Sequence, residues 1–208
     1  MPKEIKNETP RRRVILAARR LFNDKGFHST PVSELATEAR VSVGQIYRLF
    51  PGKDDIIVAI AEEDVQARVG EMEVIFEAVE RKEYSVFDAV RAIAKASIIT
   101  NGGGLVFEIL AEAYRNPRVF ERIKVLCVPY RDGIRRLITL ARPDGSAREL
   151  DAHVEIMIAC FFGLGHRALI ASTMDIEQAS HEAACILLRA LNAPHDLATK
   201  SSKKRDAR

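Results

Sequence analysis

The stretch Thr30-Pro-Val-Ser-Glu-Leu-Ala-Thr-Glu-Ala-Arg-Val-Ser-Val-Gly-Gln-Ile-Tyr-Arg48 decides how the chain is read. Thr30 before Pro31 predicts a helix start, with Thr30 as the cap and proline at the first helical position, where its missing N–H is not needed. Val32, Leu35, Ala36 and Ala39 then recur at helical spacing and face inward. Ala39-Arg40-Val41 is a tight turn. Residues 42–45 are a capping box, S-x-x-Q, opening a second short helix with Ile46 and Phe50 on its buried side. Pro51-Gly52 ends it. A helix, a tight turn and a short helix with a polar outer face make the layout of a helix-turn-helix, whose second helix fits the DNA major groove while the first crosses the backbone.

The outward residues of that second helix are Val43, Gly44, Gln45, Tyr47 and Arg48. Gln pairs with adenine, Arg with guanine, and Val43 suits a thymine methyl. Gly44 costs the helix roughly 1 kcal/mol against alanine, which makes sense if something approaches the backbone closely there. Gln45 has a competing use, because the capping box can take its side chain to the backbone of Ser42.

Working outward, Thr9-Pro10 is another start signal, followed by the stripe Val14, Ala17, Ala18, Leu21 and Phe22 and a stop at Gly26. Downstream, a long helix is expected over 53–81, with Asp54 and Asp55 in its first turn where the helix dipole favours acids. Further helices are expected over 85–100, 104–115, 117–141, 147–171 and 175–192, with Pro129 kinking or splitting the third of these. No strand pattern stands out, and eleven glycines with eight prolines in 208 residues are too little punctuation for a many-stranded fold. The expected class is all-α: a three-helix helix-turn-helix domain over 1–52, a larger helical domain over 53–195, and a basic, disordered tail over 196–208.

Charge is uneven. Residues 1–55 hold eleven Lys and Arg against seven Asp and Glu, the tail holds five against two, and the whole chain is only +3. A basic first quarter on an acidic body suggests a polyanion partner, although chance scatter also gives such a distribution. Arg11, Arg12 and Arg13 read equally as a minor-groove or phosphate arm and as a solvated run. The charged N-terminus has no apolar leader segment, and the longest uncharged runs are far shorter than the ~18 residues of a membrane span. A cytoplasmic protein without a membrane partner is expected. Cys127, Cys160 and Cys185, odd in number and set in apolar helical contexts, read as reduced packing residues.

Residues 11–57 resemble the N-terminal domain of the tetracycline-repressor (TetR) family of bacterial transcription regulators. The resemblance is carried by Ile15-Leu-Ala-Ala-Arg-Arg-Leu-Phe22, Lys25-Gly-Phe27, Thr30, Leu35-Ala36 and Val41-Ser-Val-Gly-Gln-Ile-Tyr-Arg-Leu-Phe-Pro-Gly-Lys53. It implies an obligate homodimer, a double-stranded DNA operator as partner, and a C-terminal domain holding a small-molecule inducer. It also implies that Thr30, Ser42, Val43, Gly44, Gln45, Tyr47, Arg48 and Lys53 form the DNA-binding set. Tyr47 and Lys53 would reach phosphates, with Lys53 helped by the exposed N–H groups of a helix start; packing is the alternative for Tyr47. Arg48 stands where the family often has an aromatic residue.

The last two helices of such proteins form the dimer bundle. Two stripes fit that role: one through Ile156, Cys160, Gly163 and Leu164, the other through Ala183, Leu187 and Leu191. Packing on the domain's own core is the competing explanation. The inducer cavity is expected among residues 53–141, with Phe76, Phe87, Phe107, Glu108, Glu112, Tyr114 and Tyr130 as lining candidates, suiting a cationic or amphipathic molecule. Enzyme templates fail. His181-Glu-Ala-Ala-Cys185 lacks the second histidine of a zinc protease, no Glu-x-x-His is present, and Gly163-x-Gly165-x-x-Ala168 has no strand before it. No catalytic residue, metal or cofactor is expected. The rival function is a helical enzyme or scaffold that keeps the helix-turn-helix shape without binding an operator.

Overall fold

The computed structural model describes residues 8–100 and 103–192; His195, the 196–208 tail and Asn101-Gly102 of the expected glycine break lie outside the described residues. Among the described residues there are ten α-helices and no strand, so the chain is all-α. They form two compact units, one from residues up to 74 together with 100–132, the other from 75–99 together with residues from 133 onward.

In the first unit, α1 (Pro10–Lys25) starts as its sequence predicts. Thr9 accepts the Arg12 amide at 3.3 Å, and Gly26 ends the helix at φ +87°, where a β-carbon would be strained. Helix α2 (Val32–Ala39) departs from expectation. Its cap position is Pro31, which has no side chain to accept a bond. Thr30 is 0% exposed, and its hydroxyl donates to the Gly26 carbonyl at 2.9 Å. A threonine that closes the preceding turn is unable to cap the following helix. Arg40 in the left-handed region (φ 55°) makes the next turn, and the Val41 N–H returns to the Ala36 carbonyl at 3.0 Å.

Helix α3 (Val43–Leu49) is capped by Ser42, whose hydroxyl accepts the Gln45 amide at 3.1 Å. The reciprocal bond from the Gln45 side chain is absent, so only half of the expected box forms. Helix α4 (Lys53–Glu80) then enters the core, where residues 56–61 are all buried. A helix apolar all round is one enclosed on every side. The core runs from Val14, Leu21, Phe22, Leu35 and Ile46 through that segment to Ile109 and Ala113 of α6 (Leu105–Arg115) and Val119 of α7 (Pro117–Leu126). Each fully buried Phe, Ile or Leu there contributes about 1.5–3 kcal/mol. That burial ties α1, α2 and α3 to the first turns of the long α4.

The second unit buries Ala89, Val90 and Ile93 of α5 (Val86–Thr100), Ile134, Leu137 and Ile138 of α8 (Val128–Ala141), and Val154, Met157 and Phe161 of α9 (Ala147–Gly165). Helix α10 (Ile176–Leu191) adds Ala179, Ala183, Ala184, Leu187 and Leu191. The segment expected over 117–141 is two helices, with Pro129 at the second position of α8, where its missing N–H is harmless. The segment expected over 147–171 also breaks. Helix α9 ends at Gly165, a 3₁₀ turn covers Arg167–Ile170, and Ala171 adopts φ 53°. Among the described residues no single helix is long and apolar enough to cross a membrane.

Candidate nucleic-acid interface

Helix α3 is anchored by buried Ile46, with Phe50 buried just beyond its end, which leaves Ser42, Val43, Gly44, Tyr47 and Arg48 exposed and Gln45 half-buried. Among the described residues no protein group bonds the side chains of Gln45, Tyr47 or Arg48. A β-carbon added at Gly44 would meet nothing within 4 Å, so packing within the chain gives no reason for a glycine here.

Other members of the expected set are placed differently. Thr30 is buried and committed to the preceding turn, which takes its hydroxyl away from any external phosphate. Lys53 turns inward, its ammonium 4.5 Å from the Phe27 ring centroid and 5.7 Å from that of Phe22. Burial pushes its pKa down, opposed by the charges of Glu112 and Asp54. Of the arginine run, Arg11 lies over the Phe50 ring at 5.4 Å, and Arg12 pairs with Glu63, which Arg19 also contacts at 3.2 Å. Arg11 and Arg12 therefore have partners inside the protein and are not simply a solvated run.

The ligand candidates are divided between the two units, Phe76 and Phe87 in the second and the other five in the first. Phe76 is buried beneath the Arg136 guanidinium, Phe87 stands edge-on to His181, and Phe107 is exposed. Tyr114 is 81% exposed and Tyr130 half-buried. Glu108 and Glu112 serve the turn between α1 and α2: Glu108 accepts the Phe27 N–H at 2.7 Å, and Glu112 faces His28 at 2.9 Å. Sequence reading missed this role, because acids one turn apart on a helix look like any solvated face and their partners lie some eighty residues away. A cleft of about 460 Å³ in the first unit is lined by Glu62, Val65, Gln66, Val69 and Gly70 of α4, Val125 and Leu126 of α7 and Pro129 of α8. None of the seven candidates lines it.

The two stripes of the last helices also separate. Ile156, Cys160 and Gly163 of α9 are exposed, with Ile156 at 63%, and Leu164 is half-buried. Ala183, Leu187 and Leu191 of α10 are buried in their own unit, Leu187 being only 8% exposed, so they are core residues and not an exposed face. The large apolar side chains that α10 exposes are Ile176, at its start, and, more fully, Ile186.

Residues 14–60 match the model of bacterial regulatory proteins of the tetR family. The HTH-type transcriptional regulator UidR of Escherichia coli K12 is 31% identical over 114 residues, 55% of this chain and 57% of that protein. The chain thus matches little more than half the length of that relative. The HTH-type transcriptional regulator HbdR of Aromatoleum is 44% identical over 50 residues, 24% of this chain and 22% of that one. The fatty acid degradation regulator FadR of Bacillus halodurans shares the fold over 91% of this chain and 100% of its own, at TM-score 0.71 and 17% identity. The helix-turn-helix geometry and the matched residues agree: residues 14–60 are similar to the DNA-binding domain of the tetR family of bacterial regulatory proteins, and the rest of the chain shares the all-helical fold of solved regulators.

Proposed function

We propose that the protein is a dimeric, ligand-responsive transcriptional regulator, a repressor that binds a two-fold-symmetric DNA operator and is released by a small-molecule inducer. The observation that carries this reading is the exposed, unpartnered face of α3, with a glycine at position 44 that no contact within the chain requires. Tyr47 and Ser42 contact phosphate, while Arg48, Gln45 and Val43 face base edges. Gln45 is available for this because its side chain is not used in a capping box. Lys53 acts here by bracing Phe27, and phosphate contact is secondary for it. Residues 1–52 read DNA, and residues 53–195 supply ligand binding and dimerisation. Such a protein works in the cytoplasm, where the chromosome is.

The dimer face is the exposed side of α9 around Ile156, Cys160 and Gly163, joined by Ile186 of α10. A β-carbon at Gly163 meets nothing within 4 Å in one chain, which suits close approach by a second copy. The inducer occupies the cleft between α4 and the α7–α8 corner. Its aliphatic wall of Val65, Val69, Val125 and Leu126, with Glu62 and Gln66, suits an amphipathic molecule carrying a hydrogen-bond donor or a positive charge.

Selecting bound duplexes from a random pool with the full chain tests the reading. A site with two-fold symmetry, its half-site centres about 34–36 Å or a multiple of that apart, supports it. Recovery of no common sequence favours a helical scaffold that merely keeps the helix-turn-helix shape.

A further inference from the structure

The turn between α1 and α2 and the first turn of α4 are both held by α6 and its junction with α7, through polar groups that helical periodicity does not predict. Glu108 accepts the Phe27 N–H at 2.7 Å, and its carboxylate oxygens lie 3.6 Å from where a β-carbon on Gly26 would stand. One turn on, Glu112 is buried and faces His28 with one oxygen. Its other oxygen accepts from the Asn116 amide at 3.4 Å, and that amide also donates to Asp54 at 2.7 Å. The turn so gripped leads straight into α2, and α2 into α3.

Glu112 is buried and Glu108 half-buried, and a carboxylate drawn out of water is a poor device for stability alone. Apolar side chains of similar volume often serve as well or better, whereas buried polar groups can select one arrangement among several that pack equally well. The apolar contacts between α1 and α6 are non-directional, so they hold the reading helices close without fixing their angle. A hydrogen bond from a carboxylate to a particular backbone N–H is directional.

We infer that Glu108 is a positioning residue for DNA recognition, its carboxylate holding the turn between α1 and α2 in the orientation that presents α3 to the groove, with Glu112 in support. This rests on the reading of α3 as the DNA-contacting helix. Without the acceptor, the binding-competent orientation is only one of several, and apparent affinity falls by its population.

The test titrates the full chain onto the selected operator and onto a scrambled duplex, as wild type, Glu108→Ala and Glu108→Gln. Glutamine keeps a carbonyl acceptor for Phe27. Glu108→Ala is expected to bind operator about tenfold more weakly, while Glu108→Gln stays within about threefold of wild type. All three should bind the scrambled duplex within about twofold of one another and share one salt slope, because the phosphate contacts are unchanged. Wild-type operator affinity in Glu108→Ala overturns the inference, and so does equal weakness of the alanine and glutamine variants. If Glu108→Ala fails to fold, Glu112→Gln replaces it: a loss of about threefold confined to operator supports the inference, and no loss overturns it. Wild type that prefers neither duplex refutes the reading of α3 itself, before any variant is compared, and the inference falls with it.

Discussion

At Gly44 stability and function are expected to pull in opposite directions. The position is helical and exposed and has open space where a β-carbon would go. Gly44→Ala should therefore stabilise the protein by up to about 1 kcal/mol. If DNA comes as close to this backbone as proposed, the same methyl group should weaken operator binding roughly tenfold, about 1.4 kcal/mol. Thermal melts and operator titrations read the two effects separately, and a variant gaining in both would show that nothing approaches α3 closely. Arg48→Ala is expected to cost about 1–3 kcal/mol per half-site, concentrated at particular base pairs. An equal loss on scrambled DNA would make Arg48 a phosphate contact. Single residues were legible where local chemistry determines them, as at Thr9, Ser42 and Gly26. That Thr30 does not cap α2, and that Lys53 lies against the Phe27 ring, could not be read locally, because their partners, the Gly26 carbonyl and that ring, emerge only once the turn between α1 and α2 has its shape.

Among the elements, α5 carries a cap whose contribution can be isolated. Ser85 accepts the Asp88 amide at 3.2 Å, and Asp88 takes the Ser85 N–H at 3.0 Å and its hydroxyl at 2.6 Å. Ser85→Ala should cost about 1 kcal/mol in chemical denaturation, with no change in operator affinity. Those bonds hold the Asp88 carboxyl below its ordinary pKa. A depressed pKa in the folded state means that the stabilisation is complete above the ordinary aspartate value near 3.9 and is lost as pH falls through the folded value. Stability of wild type should therefore drop more between about pH 5 and 3 than that of Asp88→Asn. A parallel drop in both proteins would rule out this carboxylate. Most helices were legible because their apolar residues recur at a strong helical period and their starts bear Ser, Thr or Pro. The helix expected over 147–171 was too long because α9 ends at Gly165, where His166 leaves the helix at φ −109° and ψ 9°, and Arg167–Ile170 continues only as a 3₁₀ turn.

On the scale of the whole molecule, a helix has one period but two neighbours to satisfy. An apolar stripe in sequence does not say whether it meets its own core or a second copy. The α9 stripe was assigned to a partner and is exposed; the α10 stripe was assigned likewise and is core. Two substitutions separate these roles. Ile156→Glu should give a folded monomer that no longer binds operator, because a dimer would bury that charge unpaired. Leu187→Glu should fail to fold. Sedimentation paired with circular dichroism distinguishes them, and an Ile156→Glu protein that remains a dimer would move the interface elsewhere. Binding of two copies to one symmetric site is the central claim, and the stoichiometry of the complex tests it most directly. Sedimentation velocity of the full chain mixed with its selected duplex should show two chains per duplex at saturation, with one half-site insufficient for tight binding. A saturated complex of one chain per duplex, equally tight on a single half-site, would contradict it.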